Sequence, residues 1–93
     1  MALRLRGLVK HVVPTRVNAV GKREGGFGFA RCDGVAEGEL PADQPSPIGV
    51  DHFLHVRDIP EFERIEDALN CRVVFTPVEH PRGPRATEAE VER

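Results

Sequence analysis

The sequence predicts an all-β fold in which five short antiparallel strands close into a small barrel, with one short helical segment after the third strand. Three observations carry this prediction. Five segments carry β-branched or aromatic residues or a two-residue alternation, and turn or loop signals separate them. Only one stretch, after the third of them, repeats its apolar residues at helical spacing. A chain of 93 residues has room for a single modest core, burying roughly 60 to 65 % of the surface exposed by its unfolded form. Residues 1–93 are therefore read as one domain whose strands share that core.

Leu3 to Val13 (LRLRGLVKHVV) alternates at its start, becomes β-branched at its end and is bounded by Pro14, which cannot donate to a ladder; it is the first strand. Thr15 to Gly25 is polar, basic and glycine-containing, and forms a long first loop over residues 14–25. Gly26 to Cys32 is the second strand, and Asp33-Gly34 behind it is a strong turn signal. Val35 to Ile48 carries Gly38, Pro41, Pro45 and Pro47 and follows neither period, so residues 34–48 form a second loop, longer than most inside a compact domain. Gly49 to Val56 alternates around Phe53 and His55 as the third strand. Asp58 and Glu61 then have the spacing of a capping box, with Pro60 tolerated in the first turn. Phe62, Ile65 and Leu69 continue as one apolar stripe that ends near Asn70, which places a helical segment over residues 59–69. Cys71 to Val78 is the fourth strand, Glu79 to Pro84 a turn, and Arg85 to Val91 the fifth strand, although Ala and Glu are poor strand formers. This order fits a barrel of the oligonucleotide/oligosaccharide-binding (OB) type. Pattern alone fits an SH3-like barrel almost as well.

Composition excludes several classes. No apolar run approaches the ~20 residues of a membrane-spanning helix. Arg4, Arg6 and Lys10 interrupt the N-terminal apolar residues, so no signal-peptide pattern is present and a cytoplasmic protein is expected. Cys32 and Cys71 are isolated thiols without metal-binding spacing, expected to be buried or half-buried. His52 and His55 are three apart, which in a strand puts them on opposite faces and makes a shared metal ion unfavourable. No catalytic signature is present, and no enzyme activity, metal or cofactor is expected. The net charge of −2 averages two unlike halves: residues 1–31 carry +6 and residues 32–93 carry −8. A locally basic surface attracts phosphates even on a slightly acidic molecule.

Four motifs in order resemble the cold-shock domain family. Gly25-Gly26-Phe27-Gly28-Phe29-Ala30, followed by Asp33-Gly34, is similar to the family's first ribonucleoprotein-like motif, and His52-Phe53-Leu54-His55-Val56, preceded by Asp51, to its second. Gly7-Leu8-Val9-Lys10-His11 resembles the family's first strand, and Arg82-Gly83-Pro84-Arg85-Ala86 the segment before its last. Departures accompany the likeness: His11 replaces a tryptophan, Val56 an aromatic and Gly25 a lysine, and both loops are longer. The resemblance implies an OB-type barrel that binds single-stranded RNA or DNA, acting as an RNA chaperone or a transcription or translation regulator.

It also implies that the Phe face points outward. On alternation alone the two arrangements are evenly matched. With Phe27, Phe29, Phe53 and His55 outward, the core receives Ala30, Leu54 and Val56; the reverse would bury three Phe and a histidine in need of a hydrogen-bond partner. Exposed rings beside cations suit single strands, since every base has a π face to stack and every nucleotide a phosphate to neutralise. The nucleic-acid-binding candidates are therefore Phe27, Phe29, Phe53 and His55 for stacking, and Lys10 and Arg85 for phosphates or base edges. His11 stacks weakly or, when protonated, acts as a cation. Arg31, Arg57 and the loop residues Arg16, Lys22 and Arg23 are secondary candidates, equally well read as solubilising charge. Phe62 is a further stacking candidate, although its helical stripe favours packing; Phe75 is expected in the core. The alternative function is an OB-type protein-interaction module, or a homodimer, burying the same Phe patch.

Overall fold

The computed structural model describes residues 2–93. The strands are β1 (Arg4–Val13), β2 (Arg16–Val17), β3 (Arg23–Glu24), β4 (Phe27–Glu37), β5 (Asp51–His55), β6 (Arg72–Val78) and β7 (Arg85–Val91). The five long strands form one sheet whose hydrogen bonds run in a closed ring, in the order β1-β4-β5-β7-β6 and back to β1, and β2 and β3 pair as a separate ribbon. The all-β expectation holds. One detail is corrected: β5 and β7 run parallel, joined at Phe53 and Arg85, while the other junctions are antiparallel. An odd number of strands cannot alternate in direction all the way round a ring, so one junction must be parallel. Among the described residues no helix is long and apolar enough to cross a membrane.

Strand alternation decides what is inside. Along β1, Leu5, Gly7 and Val9 are buried between less buried neighbours, and along β4 and β5 the same is true of Gly28, Ala30, Cys32, His52 and Leu54. Val73 and Phe75 of β6 and Ala86 and Ala89 of β7 complete the lining. Ile59, Ile65 and Ala68, from the segment between β5 and β6, join the same core. Gly7 is required by contact: a Cβ there would collide with the carbonyl oxygen of Arg31 on β4.

Several local expectations are overturned. Asp33-Gly34 does not end the second strand, which runs on to Glu37. Gly34 lies opposite Arg6, and Asp33 receives a hydrogen bond from Arg72 at 2.8 Å, so long-range pairing overrides the local turn preference. The chain turns instead at Gly38, whose φ of 81° is left-handed. The 14–25 loop contains the β2–β3 ribbon, and the third strand starts at Asp51, two residues after the left-handed Gly49.

The helical segment over 59–69 is also corrected. Two short 3-10 turns, Val56–Asp58 and Ile65–Ala68, replace it. The capping box does not form, because Asp58 lies inside the first turn and the Glu61 carboxylate accepts from the Val91 N–H at 2.7 Å and from Arg93 at 2.6 Å. Of the apolar stripe, Ile65 is buried and Phe62 packs partly buried against the core, but Leu69 is 43 % exposed.

His52 is the one buried polar residue in the described core, with its ring 5.1 Å from that of Phe75 and Nδ1 3.1 Å from the Val50 carbonyl oxygen. Burial holds its pKa below the ordinary 6.5, with nearby backbone carbonyls opposing. The unfolded chain therefore binds a proton at this site more readily, so the histidine's contribution is complete above about pH 6.5 and is lost as pH falls through the lower folded value. The melting temperature is expected to fall between pH 7 and pH 5, and in His52→Leu that fall should be smaller; an identical pH profile in the variant would refute the assignment. Phe75→Ala, which empties the largest buried side chain, is expected to cost about 3–5 kcal/mol in urea unfolding.

Candidate functional site

The face of β4 and β5 turned away from the core carries the aromatic residues. Register pairs Phe29 with Phe53 and Phe27 with His55, and extends the first row to Lys10 on β1 and Arg85 on β7. The three phenylalanines and His55 are half-buried on this face, while Gly28 and Leu54 between them, and Ala30 after Phe29, are buried. Phe27 stacks on Phe53 with centroids 5.1 Å apart, and Phe29 meets both edge-on at 6.3 and 6.0 Å. Such offset and edge contacts let aromatic rings stabilise one another without being fully enclosed. The result is a preformed apolar platform on a rigid part of the sheet.

Cations border the platform. The Arg85 guanidinium lies 5.3 Å from the Phe53 centroid and 3.9 Å from the Asp58 carboxylate, and its buried Nε has no hydrogen-bond partner among the described residues. A buried donor left unpaired is costly. Beside it, the turn between β6 and β7 brings His80, Arg82 and Pro84 to face Phe29, Phe53, His55 and Arg57 across an open cleft of about 380 Å³. The turn is held by the Gly83 N–H donating to the His80 carbonyl at 2.9 Å and the Arg82 N–H donating to His80 Nδ1 at 3.2 Å.

His55 Nδ1 accepts from the Arg57 N–H at 3.2 Å, capping the first 3-10 turn and leaving Nε2 to carry the proton. Burial lowers its pKa from 6.5, and the Arg57 charge lowers it further. A neutral ring can stack on a base without the desolvation cost of a charge. Asp51 is tied to Arg31 by contacts of 2.9 and 3.4 Å, and that hydrogen bonding holds the Asp51 carboxyl below the usual range; Lys10 and His11 contribute smaller charge effects.

Phe27, Phe29, Phe53, His55, Lys10 and Arg85 thus come together on one face, with Arg57 on the rim of the cleft. His11 is exposed on a bulge of β1, in the left-handed region at φ 51°, where one extra residue separates the Lys10–Phe29 and Val13–Phe27 pairs. Arg31 is engaged by Asp51, and Phe62 packs on the core, so its stacking candidacy finds no support in the cleft. His80 and Arg82 are cleft residues that the sequence reading did not select, although Arg82-Gly83-Pro84 lay within a motif. The basic N-terminal segment, residues 1–31, is divided: Arg4, Arg6, Arg16 and Arg31 pair with Glu90, Glu92, Glu24 and Asp51, whereas Lys10, Lys22 and Arg23 have no ion-pair partner among the described residues, nor do Arg57 and Arg82 from the acidic remainder of the chain.

No family model, curated protein or solved structure matches the chain.

Proton NMR titration is expected to give His55 a midpoint below 6.5 and to move it upward in Arg57→Gln. A His55 midpoint at or above 6.5 in the unaltered protein would contradict the assigned environment.

Proposed function

We propose that this protein is an OB-type barrel, similar to a cold-shock domain, that binds single-stranded RNA or DNA by stacking bases on Phe27, Phe29, Phe53 and His55. One observation carries the reading: three mutually packed phenylalanines remain half-exposed on one sheet face, with Arg85 over Phe53 and Lys10, Arg57 and Arg82 nearby. The ring order, with its parallel junction between the third and fifth long strands, supports the OB assignment.

The chemistry is association alone. Bases leave water to stack on the rings while cations neutralise phosphates, and binding of unpaired strands draws the duplex equilibrium toward the single-stranded form. Each stack contributes ~1–3 kcal/mol, so three phenylalanines supply roughly 3–9 kcal/mol. A micromolar complex needs about 8 kcal/mol. Binding is therefore weak, tolerant of sequence and sensitive to salt. Such binding suits an RNA chaperone or a regulator of transcription or translation.

Fluorescence anisotropy with labelled dT and U oligomers at two salt concentrations tests the reading. Micromolar binding that weakens with salt and falls at least about thirtyfold in a folded Phe27→Ala/Phe53→Ala variant is expected, from two lost stacks of ~1–3 kcal/mol each. No binding by the folded wild type at low salt would overturn it, and a stable homodimer with Phe27 and Phe53 buried between copies would establish the protein-interaction alternative.

A further inference from the structure

One three-residue pattern occurs twice in the chain, as His55-Val56-Arg57 and as His80-Pro81-Arg82, and the fold brings both copies to the same cleft. The first copy runs from the end of β5 into the 3-10 turn of Val56–Asp58, and the second lies in the turn between β6 and β7. Their local geometry is the same. In each, the arginine N–H donates to Nδ1 of the histidine two residues before it, at 3.2 Å. An imidazole whose Nδ1 accepts keeps its proton on Nε2. Each copy therefore offers a ligand an imidazole N–H and a guanidinium, and no acceptor.

The surroundings leave these donors uncompensated. Arg57 and Arg82 have no ion-pair partner among the described residues, and Arg85 adds a third guanidinium that meets Asp58 only at 3.9 Å. Asp51 is the one carboxylate in the lining, and Arg31 holds it at 2.9 Å. With about 380 Å³ and apolar walls of Phe29, Phe53 and Pro84, the cleft has the size and make-up of a small-ligand site. An internal phosphodiester brings one charge to such a set of donors. A phosphomonoester brings about −1.5 to −2 and three acceptor oxygens, and planar guanidinium forks match those oxygens in pairs.

We propose that the twin His-x-Arg turns bind a nucleotide phosphomonoester, so that the cleft receives the phosphorylated end of a single strand whose bases lie on the platform. This rests on the platform being a single-strand site. Stacking uses the face of His55 and donation uses its edge, so the two roles are compatible. With Nδ1 engaged, neither ring has a free lone pair to act as a general base, and the pair holds the phosphate without cleaving the strand.

Calorimetric titration of the full-length protein with dT oligomers of about 6 nucleotides tests this, comparing 5′-phosphorylated, 3′-phosphorylated and unphosphorylated forms. One phosphorylated form is expected to bind on the order of tenfold more tightly than the unphosphorylated one, the worth of about one hydrogen bond to a charged group. In Arg57→Gln/Arg82→Gln, with folding checked by circular dichroism, all three should weaken and the preference should shrink to within about twofold. A free nucleotide carries the same group, and dTMP separates the two sources: it is expected to bind at least about tenfold more weakly than the preferred oligomer, because it makes fewer stacks. Equal binding of dTMP would assign the cleft to free nucleotides and overturn the strand-end proposal. A wild-type preference within twofold, or one that survives in the double variant, would also overturn it and leave the platform standing. Failure of the wild type to bind any of the three oligomers would overturn both.

Discussion

One junction closes the ring of strands and builds the candidate functional face: the parallel pairing of β5 with β7 at Phe53 and Arg85. There the Phe53 N–H donates to the Pro84 carbonyl at 3.0 Å and closes the ring of strands. The same two residues place a cation over an aromatic ring at the centre of the platform. Closure and site cannot be separated, because the backbone bond that ends the circuit also sets the height of Arg85 above Phe53. The turn from His80 to Pro84 is positioned by the same pairing, so the cleft wall depends on it as well.

The core against which this face rests is narrow, and its composition explains why the rings lie outside it. Beneath the platform are Gly28, Ala30 and Leu54, small or aliphatic groups, and the same core holds Phe75 of β6 and His52 of β5 with their rings 5.1 Å apart. Turning this face inward would exchange Gly28, Ala30 and Leu54 for Phe27, Phe29 and Phe53 beside Phe75, and overpacking of this kind is destabilising. Outward rings are thus a packing consequence of the sequence, independent of any ligand.

Much of this was legible in the residues. Two-residue alternation in Phe27–Ala30 and His52–Val56 shows which side chains share a face, and the presence of five long strands follows from runs of β-branched residues and alternation between turn signals, whereas the parallel junction of β5 with β7 has no local signal. What was not legible depended on partners distant in sequence. Asp33-Gly34 reads locally as a turn, yet Arg72 and Arg6 hold it in a strand. Asp58 to Leu69 reads as a capped helix, yet Glu61 bonds to Val91 and Arg93, and two short turns suffice to bury Ile59 and Ile65. Charge was legible as a sum and misleading as a surface, since Arg4 and Arg6 face Glu90 and Glu92 from the far end of the chain. His80 and Arg82 reach the cleft through a turn whose direction no local pattern specifies.

The Gly26 N–H donates to the Val13 carbonyl at 2.7 Å, and this bond separates the fate of the β2–β3 ribbon from that of the ring. A Cβ on Gly25 would collide with the carbonyl oxygen of Pro14, so the crossing of the two chain segments at this neck is fixed, while nothing between them enters the core. Once the neck is closed, each doubling of the inserted length costs only about 0.6 kcal/mol of closure entropy. Insertions and deletions between the neck residues consequently carry little closure penalty. The packing of the ring therefore places little constraint on residues 16–24.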